Sequence, residues 1–197
     1  MSKTVAGKQS RRDQILGAAA SIFCEKTFHG TTLQEIADAV GISKGSLYYY
    51  ITSKEKLLAE IILDTARRFA EALGGIEEEH LTPVERLKSI IREHINFNTQ
   101  YKEIGTLFIT ERNVISLMDT AELTEIFDHR NKLVAETLGE AIETGLYRPV
   151  DVGVTTLAIV GLCNSIVFWY RPSGSLSPEE ITDACFELVH QGLSVKS

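Results

Sequence analysis

A lysine, a glycine, two serines and three consecutive tyrosines lie close together in the segment GISKGSLYYYITSKE, residues 41–55. On a helix, residues spaced i, i+1, i+4 and i+5 share one face, and this spacing predicts the following outward surface: Lys44, Gly45, Tyr48 and Tyr49. Leu47, Tyr50 and Ile51 are predicted to turn inward. A tyrosine offers its hydroxyl to phosphate and its ring to a thymine methyl, and Gly45 leaves room for a close approach. The segment therefore predicts a DNA-binding surface.

Two short helices are needed to hold that surface in place. Thr32 is a good N-cap, and Glu35 stands three residues on, at the capping-box spacing. Gly41 ends this helix and Ser43 caps the next one. Two short helices joined by a tight glycine-containing turn are the helix-turn-helix pattern. A helical hairpin with surface tyrosines is the alternative interpretation.

Different contacts with DNA are predicted for different residues of this motif. Helix N-termini at Thr32, Ser43 and Ser53 present free backbone N–H groups to phosphates, with Lys54 beside the third. Recognition helices approach base edges with their N-terminal residues, and the predicted base readers are Lys44, Gly45, Ser46 and Tyr48. A basic arm of Lys3, Lys8, Arg11 and Arg12 is expected to extend the contact.

The spacing of apolar residues in the rest of the chain also predicts helices, so the predicted fold class is all-α. Helices are expected over residues 10–26, from Ser53 toward Gly74 and Gly75, and from the caps at Thr82 and Ser177. The other expected helices cover residues 104–113, 123–144 and 152–170.

Charge is distributed unevenly along the chain. Residues 1–56 carry eight Lys and Arg against five Asp and Glu, a net charge of +3, whereas the remainder carries −10. A positive N-terminal part favours an anionic partner. A sequence-tolerant architectural DNA binder would be more basic and would lack a large apolar second domain.

An enzyme is not indicated. The sequence contains no P-loop, dinucleotide fingerprint or nucleophile elbow, and Cys24, Cys163 and Cys185 are scattered without metal-ligand spacing. No cofactor or metal is therefore expected. An odd number of cysteines and a polar N-terminus without an apolar core favour the cytoplasm over secretion.

Residues 152–170 form an uncharged run near the length that spans a bilayer. The run contains polar residues such as Thr156 and Asn164, and no second apolar span accompanies it. Burial in a bundle or in a subunit interface is the favoured explanation.

The run TTLQEIADAVGISKGSLYYYITSKEKLL resembles the DNA-binding signature of the TetR family of transcriptional regulators over about residues 11–58. The resemblance implies a homodimer, with a three-helix DNA-binding domain at residues 1–56 and a ligand-binding and dimerisation domain at residues 57–197. Ile51 and Thr52 replace the proline-containing turn of many members. Two recognition helices imply a roughly palindromic operator.

The resemblance also implies a four-helix dimer interface made by the last two helices, with Ile181, Ala184, Cys185, Leu188 and Gly192 on one stripe. A small hydrophobic ligand is expected among the helices of the second domain. The candidate pocket residues are His94, Phe97, Asn98, Tyr101, Phe108, Arg112, Phe127, Asn164 and Phe168. Most of these aromatic residues are better explained as core, and His94 as a hydrogen-bonded core histidine. Asn164 needs a partner, either across the dimer or in a ligand.

A looser resemblance connects WYRPSGSLSPEEI, ERN and HRNK to TetR-like regulators of fatty-acid and steroid breakdown that respond to acyl-CoA thioesters. Arg112 or Arg130 would then meet the CoA phosphates, or else form a surface or intersubunit ion pair. The predicted function is a ligand-responsive repressor. Two alternatives are a regulator of efflux or stress genes that senses a free hydrophobic compound, and a small-molecule carrier that does not bind DNA.

Overall fold

The computed structural model describes residues 10–77, 79–115 and 121–195. Every regular element in these ranges is a helix, apart from an isolated β-bridge between Tyr147 and Ser194. The helices are α1 (Arg11–Lys26), α2 (Leu33–Ala39), α3 (Lys44–Leu47), α4 (Lys54–Glu77), α5 (Pro83–Gln100), α6 (Lys102–Thr110), α7 (Arg112–Ile115), α8 (Ala121–Glu143), α9 (Val152–Asn164), α10 (Ile166–Trp169) and α11 (Pro178–Leu193). The predicted all-α class is confirmed.

The described residues separate into two compact units. The first contains the residues up to Asp64 together with the described residues from Leu107 to Ile115. The second contains Thr65–Thr106 and the described residues from Ala121 onward. Helices α4 and α6 therefore each contribute to both units. The functional division at residues 56 and 57 stays a prediction.

The first unit is built on α1, α2 and α3, with α2 packed on both neighbours. Ile36, Ala37 and Leu47 are fully buried between them, and the small side chain of Ala37 lets the helices approach closely. Gly41 has a φ of +69°, a left-handed conformation that glycine adopts at no steric cost. The turn of the predicted helix-turn-helix therefore forms where the sequence places it.

The second unit packs α5, α8, α9 and α11 around one apolar core. Two of these helices, α5 and α11, have strong N-terminal capping signals. Thr82 and Ser177 each form a full capping box and are followed by a proline at the first helical position. A capping box gives hydrogen-bond partners to two backbone N–H groups of the helix N-terminus, that of the N-cap residue and that of the third helical residue. These predicted helix starts are confirmed.

Three predicted helix boundaries are wrong. Helix α4 runs through Gly74 and Gly75 to Glu77, and the helix expected over residues 104–113 is divided into α6 and α7. The run 152–170 is divided at Ser165, whose N–H bonds to the carbonyls of both Gly161 and Leu162. Its hydroxyl also donates to the Leu162 carbonyl at 2.7 Å. Tightening of the last turn by such bonds ends α9.

One stretch in the described part of the chain, Val152–Trp169, is long and apolar enough to cross a membrane, with a mean hydropathy of 1.8. A third of it is buried inside the protein. A single stretch of this kind also occurs in the core helices of soluble proteins, so it is weak support for a membrane span.

Candidate nucleic-acid interface and ligand site

The outward face of the helix-turn-helix is exposed as predicted. Lys44 and Gly45 are exposed, Tyr48 retains 50% and Tyr49 91% of its surface, and the described residues give none of these side chains a partner. Helix α3 is shorter than predicted, because it ends at Leu47 and the tyrosines follow in a turn. Tyr50 was expected inside but is 38% exposed, since the turn no longer follows helical periodicity.

The N-terminus of α3 is closed by two serines. The Ser46 backbone N–H donates to Ser43 Oγ at 3.0 Å, and the two hydroxyl oxygens are 2.8 Å apart. Ser46 is half-buried. It is therefore the least accessible of the four predicted base readers, whereas Lys44, Gly45 and Tyr48 are exposed.

At the N-terminus of α2, Thr32 and Glu35 form the predicted capping box, with Thr32 N–H donating to Glu35 Oε2 at 2.8 Å. Lys26 Nζ lies 2.6 Å from Glu35 Oε1. This lysine and the Thr32 bonds lower the pKa of Glu35 to about 2. The ion pair offsets the negative charge that would otherwise repel a phosphate from this helix end.

Lys54 is engaged within the first unit. Its ammonium group donates to the carbonyls of Phe28 and Thr31 at 2.8 and 2.9 Å and lies 4.4 Å from the centre of the Phe28 ring. An ammonium group has three donors, so one remains for a phosphate. Lys54 braces the connection between α1 and α2 in addition to any contact with DNA.

The predicted basic arm is only partly described. Lys3 and Lys8 lie outside the described residues. Arg11 and Arg12 form the first residues of α1 rather than an arm, because Ser10 caps the helix immediately before them. Arg11 Nη1 donates to the Val40 carbonyl at 3.2 Å, and Arg12 pairs with Glu60 at 2.7 Å.

The polar pocket candidates on α5 and α9 come together in the second unit. His94 is 4% exposed, and its Nε2 lies 2.9 Å from Asn164 Oδ1. Asn98 donates through Nδ2 to the Cys163 carbonyl at 2.9 Å. His94 is thus a hydrogen-bonded core histidine. Asn164 Oδ1 has a partner within its own chain, and a further contact of this amide across a dimer or with a ligand stays a prediction.

The electrostatics of this cluster keep His94 neutral. Burial, together with the positive charge of Arg130, lowers the pKa of His94 to about 3. Burial also raises the pKa of the Cys163 thiol to about 12. Near neutral pH, Arg130 therefore carries the charge of the cluster.

The aromatic candidates divide between the two units. Phe97 packs between Phe69 and Tyr101 in the second unit, and its ring centre lies 4.7 and 4.9 Å from theirs, with the ring planes tilted. Phe108 belongs to the first unit. The Phe168 ring is 68% exposed rather than turned toward His94, because the break at Ser165 changes its direction. The Arg112 side chain lies outside the described residues.

An apolar face runs along the outside of α9, α10 and α11. Its large exposed members are Val154, Leu157, Phe168, Trp169 and Leu188. The predicted stripe on α11 divides: Ala184, Leu188 and Gly192 are exposed, whereas Ile181 and Cys185 are buried in the core of the unit. A groove of about 410 Å³ lies between α9 and α11, lined by residues that include Ile159, Leu162 and Leu188.

One polar contact of the first unit was not predicted. His29 Nε2, in the loop after α1, lies 3.3 Å from Glu111 Oε2, a largely buried carboxylate between α6 and α7. The two residues are far apart in the chain, and no local pattern marks them. In the described residues there is no cluster of three or more His, Cys, Asp or Glu that could hold a metal.

Two family models match the chain. Residues 15–61 match "Bacterial regulatory proteins, tetR family", and residues 80–193 match "Tetracyclin repressor-like, C-terminal domain". The first match covers the helix-turn-helix, and the second extends over more than half of the chain.

Individual relatives agree with these models. The transcriptional repressor KstR2 of Mycobacterium tuberculosis (strain ATCC 25618 / H37Rv) is 28% identical over 96% of each chain. The solved structure of the ketosteroid transcriptional regulator KstR2 of Mycobacterium tuberculosis has a TM-score of 0.85 at 27% identity, covering 98% of this chain and 100% of that one. The crystal structure of AibR in complex with isovaleryl coenzyme A and operator DNA is 30% identical, with a TM-score of 0.76, and covers 91% of this chain and 97% of that one. The chain belongs to the TetR family of helix-turn-helix transcriptional regulators.

Proposed function

We propose that this protein is a ligand-responsive repressor that binds a roughly palindromic operator as a homodimer and releases it when a small hydrophobic ligand binds. The observation that carries the proposal is the exposure of Tyr49, at 91%, beside Lys44 and Tyr48. Leu47, between them, is fully buried. An aromatic surface on an otherwise well-packed motif indicates a partner, and in a helix-turn-helix protein that partner is DNA.

The contacts we propose follow the geometry of the motif. Lys44 and Tyr48 reach base edges, and Gly45 permits the close approach of the backbone. Tyr49 and the helix ends at Thr32 and Ser43 contact phosphates and set the register. Lys54 acts mainly by bracing the loop after α1. Replacing it should weaken binding to all sequences alike.

For the dimer, we propose that the apolar face of α9, α10 and α11 packs against its copy in a second chain. Leu157 and Leu188 are both largely exposed on this face, and small residues such as Gly161 and Ala184 lie beside them. Asn164 lies on the same side of α9 as Leu157 and Gly161. Burial of this face would cover the long apolar run without a membrane.

An acyl-CoA thioester is the first effector class that we propose, because the related AibR was crystallised with isovaleryl coenzyme A and operator DNA. A free hydrophobic compound is the second candidate, as in a regulator of efflux or stress genes. Arg130 is the one buried Lys or Arg in the described part of the chain, and so few cations favour this second candidate over a ligand with several phosphates.

Helix α6 offers a route by which ligand binding changes DNA affinity. The helix begins in the second unit, and its last residues belong to the first. Directly after it, Glu111 pairs with His29 in the loop after α1. A ligand that favours one position of α6 would shift the helix-turn-helix only by its differential affinity for the two states.

A gel-shift titration with the promoter region flanking the gene tests the proposal. We expect a dimer to shift this DNA, and a ligand of one of the two proposed classes, an acyl-CoA or a free hydrophobic compound, to reverse the shift. A protein that binds ligand but fails to shift any flanking DNA would be a carrier instead.

A further inference from the structure

Arg130, on α8, is a buried cation without a carboxylate partner. It retains 8% of its surface and makes no ion pair with the described residues. Its Nε and Nη2 donate to Asn131 Oδ1 at 3.2 and 3.0 Å, and its guanidinium carbon lies 5.1 Å from the centre of the Phe127 ring. A neutral amide and an aromatic face do not neutralise a charge. Buried arginines are ordinarily paired with an acid.

Asp128 attracts Arg130 and favours its charged form, but it forms no ion pair with the guanidinium group, and the other neighbours of Arg130 are neutral. His94 is held neutral by burial and by Arg130 itself, and the Cys163 thiol remains protonated near neutral pH. Asn98 and Asn164 add neutral amides around the same two residues. Within the group formed by His94, Asn98, Cys163, Asn164 and Arg130, the guanidinium group therefore carries the one charge, and Asp128 acts on it only from beyond ion-pair distance.

One nitrogen of the guanidinium group, Nη1, has no hydrogen-bond partner in the described part of the chain. Among the described residues, Thr156 Oγ1 is the one side-chain N or O atom that lacks both a hydrogen-bond partner and contact with solvent. Nη1 therefore retains some contact with solvent and has a free donor.

We propose that Arg130 binds the carboxylate of a monoanionic, otherwise apolar effector, an inference that rests on the ligand-responsive role proposed above. A carboxylate accepts two parallel N–H bonds from the guanidinium fork, and its one charge matches the one charge of the cluster. Coenzyme A carries several phosphate charges, which would require more cations than this cluster provides. The aromatic rings of Phe69, Phe97 and Phe127 in the same unit suit an apolar body.

The test measures ligand binding in the absence of DNA. Thermal melting and calorimetry report the binding of decanoate, decan-1-ol and decanoyl-CoA. We expect decanoate to raise the melting temperature of the wild-type protein more than the alcohol does. Arg130→Met should weaken decanoate binding by about tenfold or more and leave the alcohol unchanged. Arg130→Lys should be intermediate, because it keeps the charge but loses the fork. The matched control, Arg86→Met, removes an arginine that already pairs with Glu140 at 2.7 Å, and should keep the preference for the acid.

The ligand-free proteins give a second readout. Arg130→Met should melt no lower than the wild type, since an apolar side chain replaces a buried charge that has no acid partner. A fall larger than that of Arg86→Met would mean that the fold itself satisfies Arg130 and would overturn the inference.

Three further outcomes would also overturn it: equal binding of decanoate and decanol, an unchanged acid preference in Arg130→Met, or Arg130-dependent binding of decanoyl-CoA alone. These results are independent of the gel shift. If the protein binds the acid selectively through Arg130 but does not bind DNA, this inference is supported and the proposed repressor function is contradicted.

Discussion

At Gly45, the packing of the fold does not require a glycine. A Cβ at this position would meet only Ser43 Oγ, at an ordinary 3.8 Å. The fold therefore has room for a side chain, and the reason for glycine lies outside the chain. In the proposed complex, that reason is the close approach of DNA.

We predict that Gly45→Ala leaves the melting temperature unchanged or raises it, because alanine is favoured over glycine in helices by about 1 kcal/mol. Operator affinity should nevertheless fall about tenfold or more, corresponding to about 1.4 kcal/mol. Gly17→Ala, at another uncrowded helical position, is the control and should keep full affinity. An alanine variant that binds as well as the wild type would mean that this helix face does not approach DNA.

His94 should give the protein a pH dependence of stability. Its pKa is about 3 in the folded protein, against an ordinary 6.5, so below pH 6.5 the unfolded chain takes up a proton that the folded chain does not. The free energy of unfolding should therefore fall as the pH decreases, by up to about 1.4 kcal/mol per pH unit. Between about pH 6.5 and 5 the carboxylates stay ionised in both states and contribute little.

Urea unfolding at several pH values in this window measures the effect. His94→Gln should flatten the dependence, while replacement of the exposed His80 with Gln should leave it largely intact. The same slope in the His94→Gln and wild-type proteins would contradict a neutral, buried histidine.

At the scale of elements, α6 and α10 approach each other closely at a glycine. A Cβ on Gly105 would lie 3.0 Å from Val167 Cγ1, tighter than ordinary packing. We predict that Gly105→Leu destabilises the protein by about 1–3 kcal/mol, because the two helices must separate. Gly75→Leu, at a helical position with no neighbour within 4 Å, should cost little in the same urea titration. Equal effects of the two changes would show that α6 is not held against α10.

The elements that could be predicted from sequence are those defined by local chemistry. The capping residues Thr32, Ser43, Thr82 and Ser177 start helices where they were expected, and Gly41 forms the turn. These signals act within one turn of helix and do not depend on tertiary contacts. The confirmed fold class follows from them.

Other features depend on contacts between distant parts of the chain. The break at Ser165 and the early end of α3 shift Phe168 and Tyr50 outward, and no propensity marks either break. The hydrogen bond between His94 and Asn164 and the bonds from Lys54 to the loop after α1 join residues that only the fold brings together. Sequence periodicity identifies which residues face inward, but not which of them meet.

At the scale of the whole molecule, the exposed apolar face should determine the oligomeric state. We predict that Leu157→Glu combined with Leu188→Glu yields a folded monomer, because both side chains are exposed in the single chain but would place like charges in the proposed interface. Sedimentation or light scattering measures the mass. Tyr49→Glu alters an exposed residue outside this face and should remain dimeric, and a dimer in the double variant would locate the interface elsewhere.

In the proposed complex, two subunits bind the operator, each through the outward face of its helix-turn-helix, which contains Lys44 and Tyr48. Fluorescence anisotropy with labelled operator DNA, applied to dimers whose melting temperatures match the wild type, tests this arrangement most directly. Lys44→Ala and Tyr48→Ala should each weaken binding by about 1–3 kcal/mol, with Lys44→Ala also reducing the dependence of affinity on salt. Unchanged affinity in both variants would contradict the account.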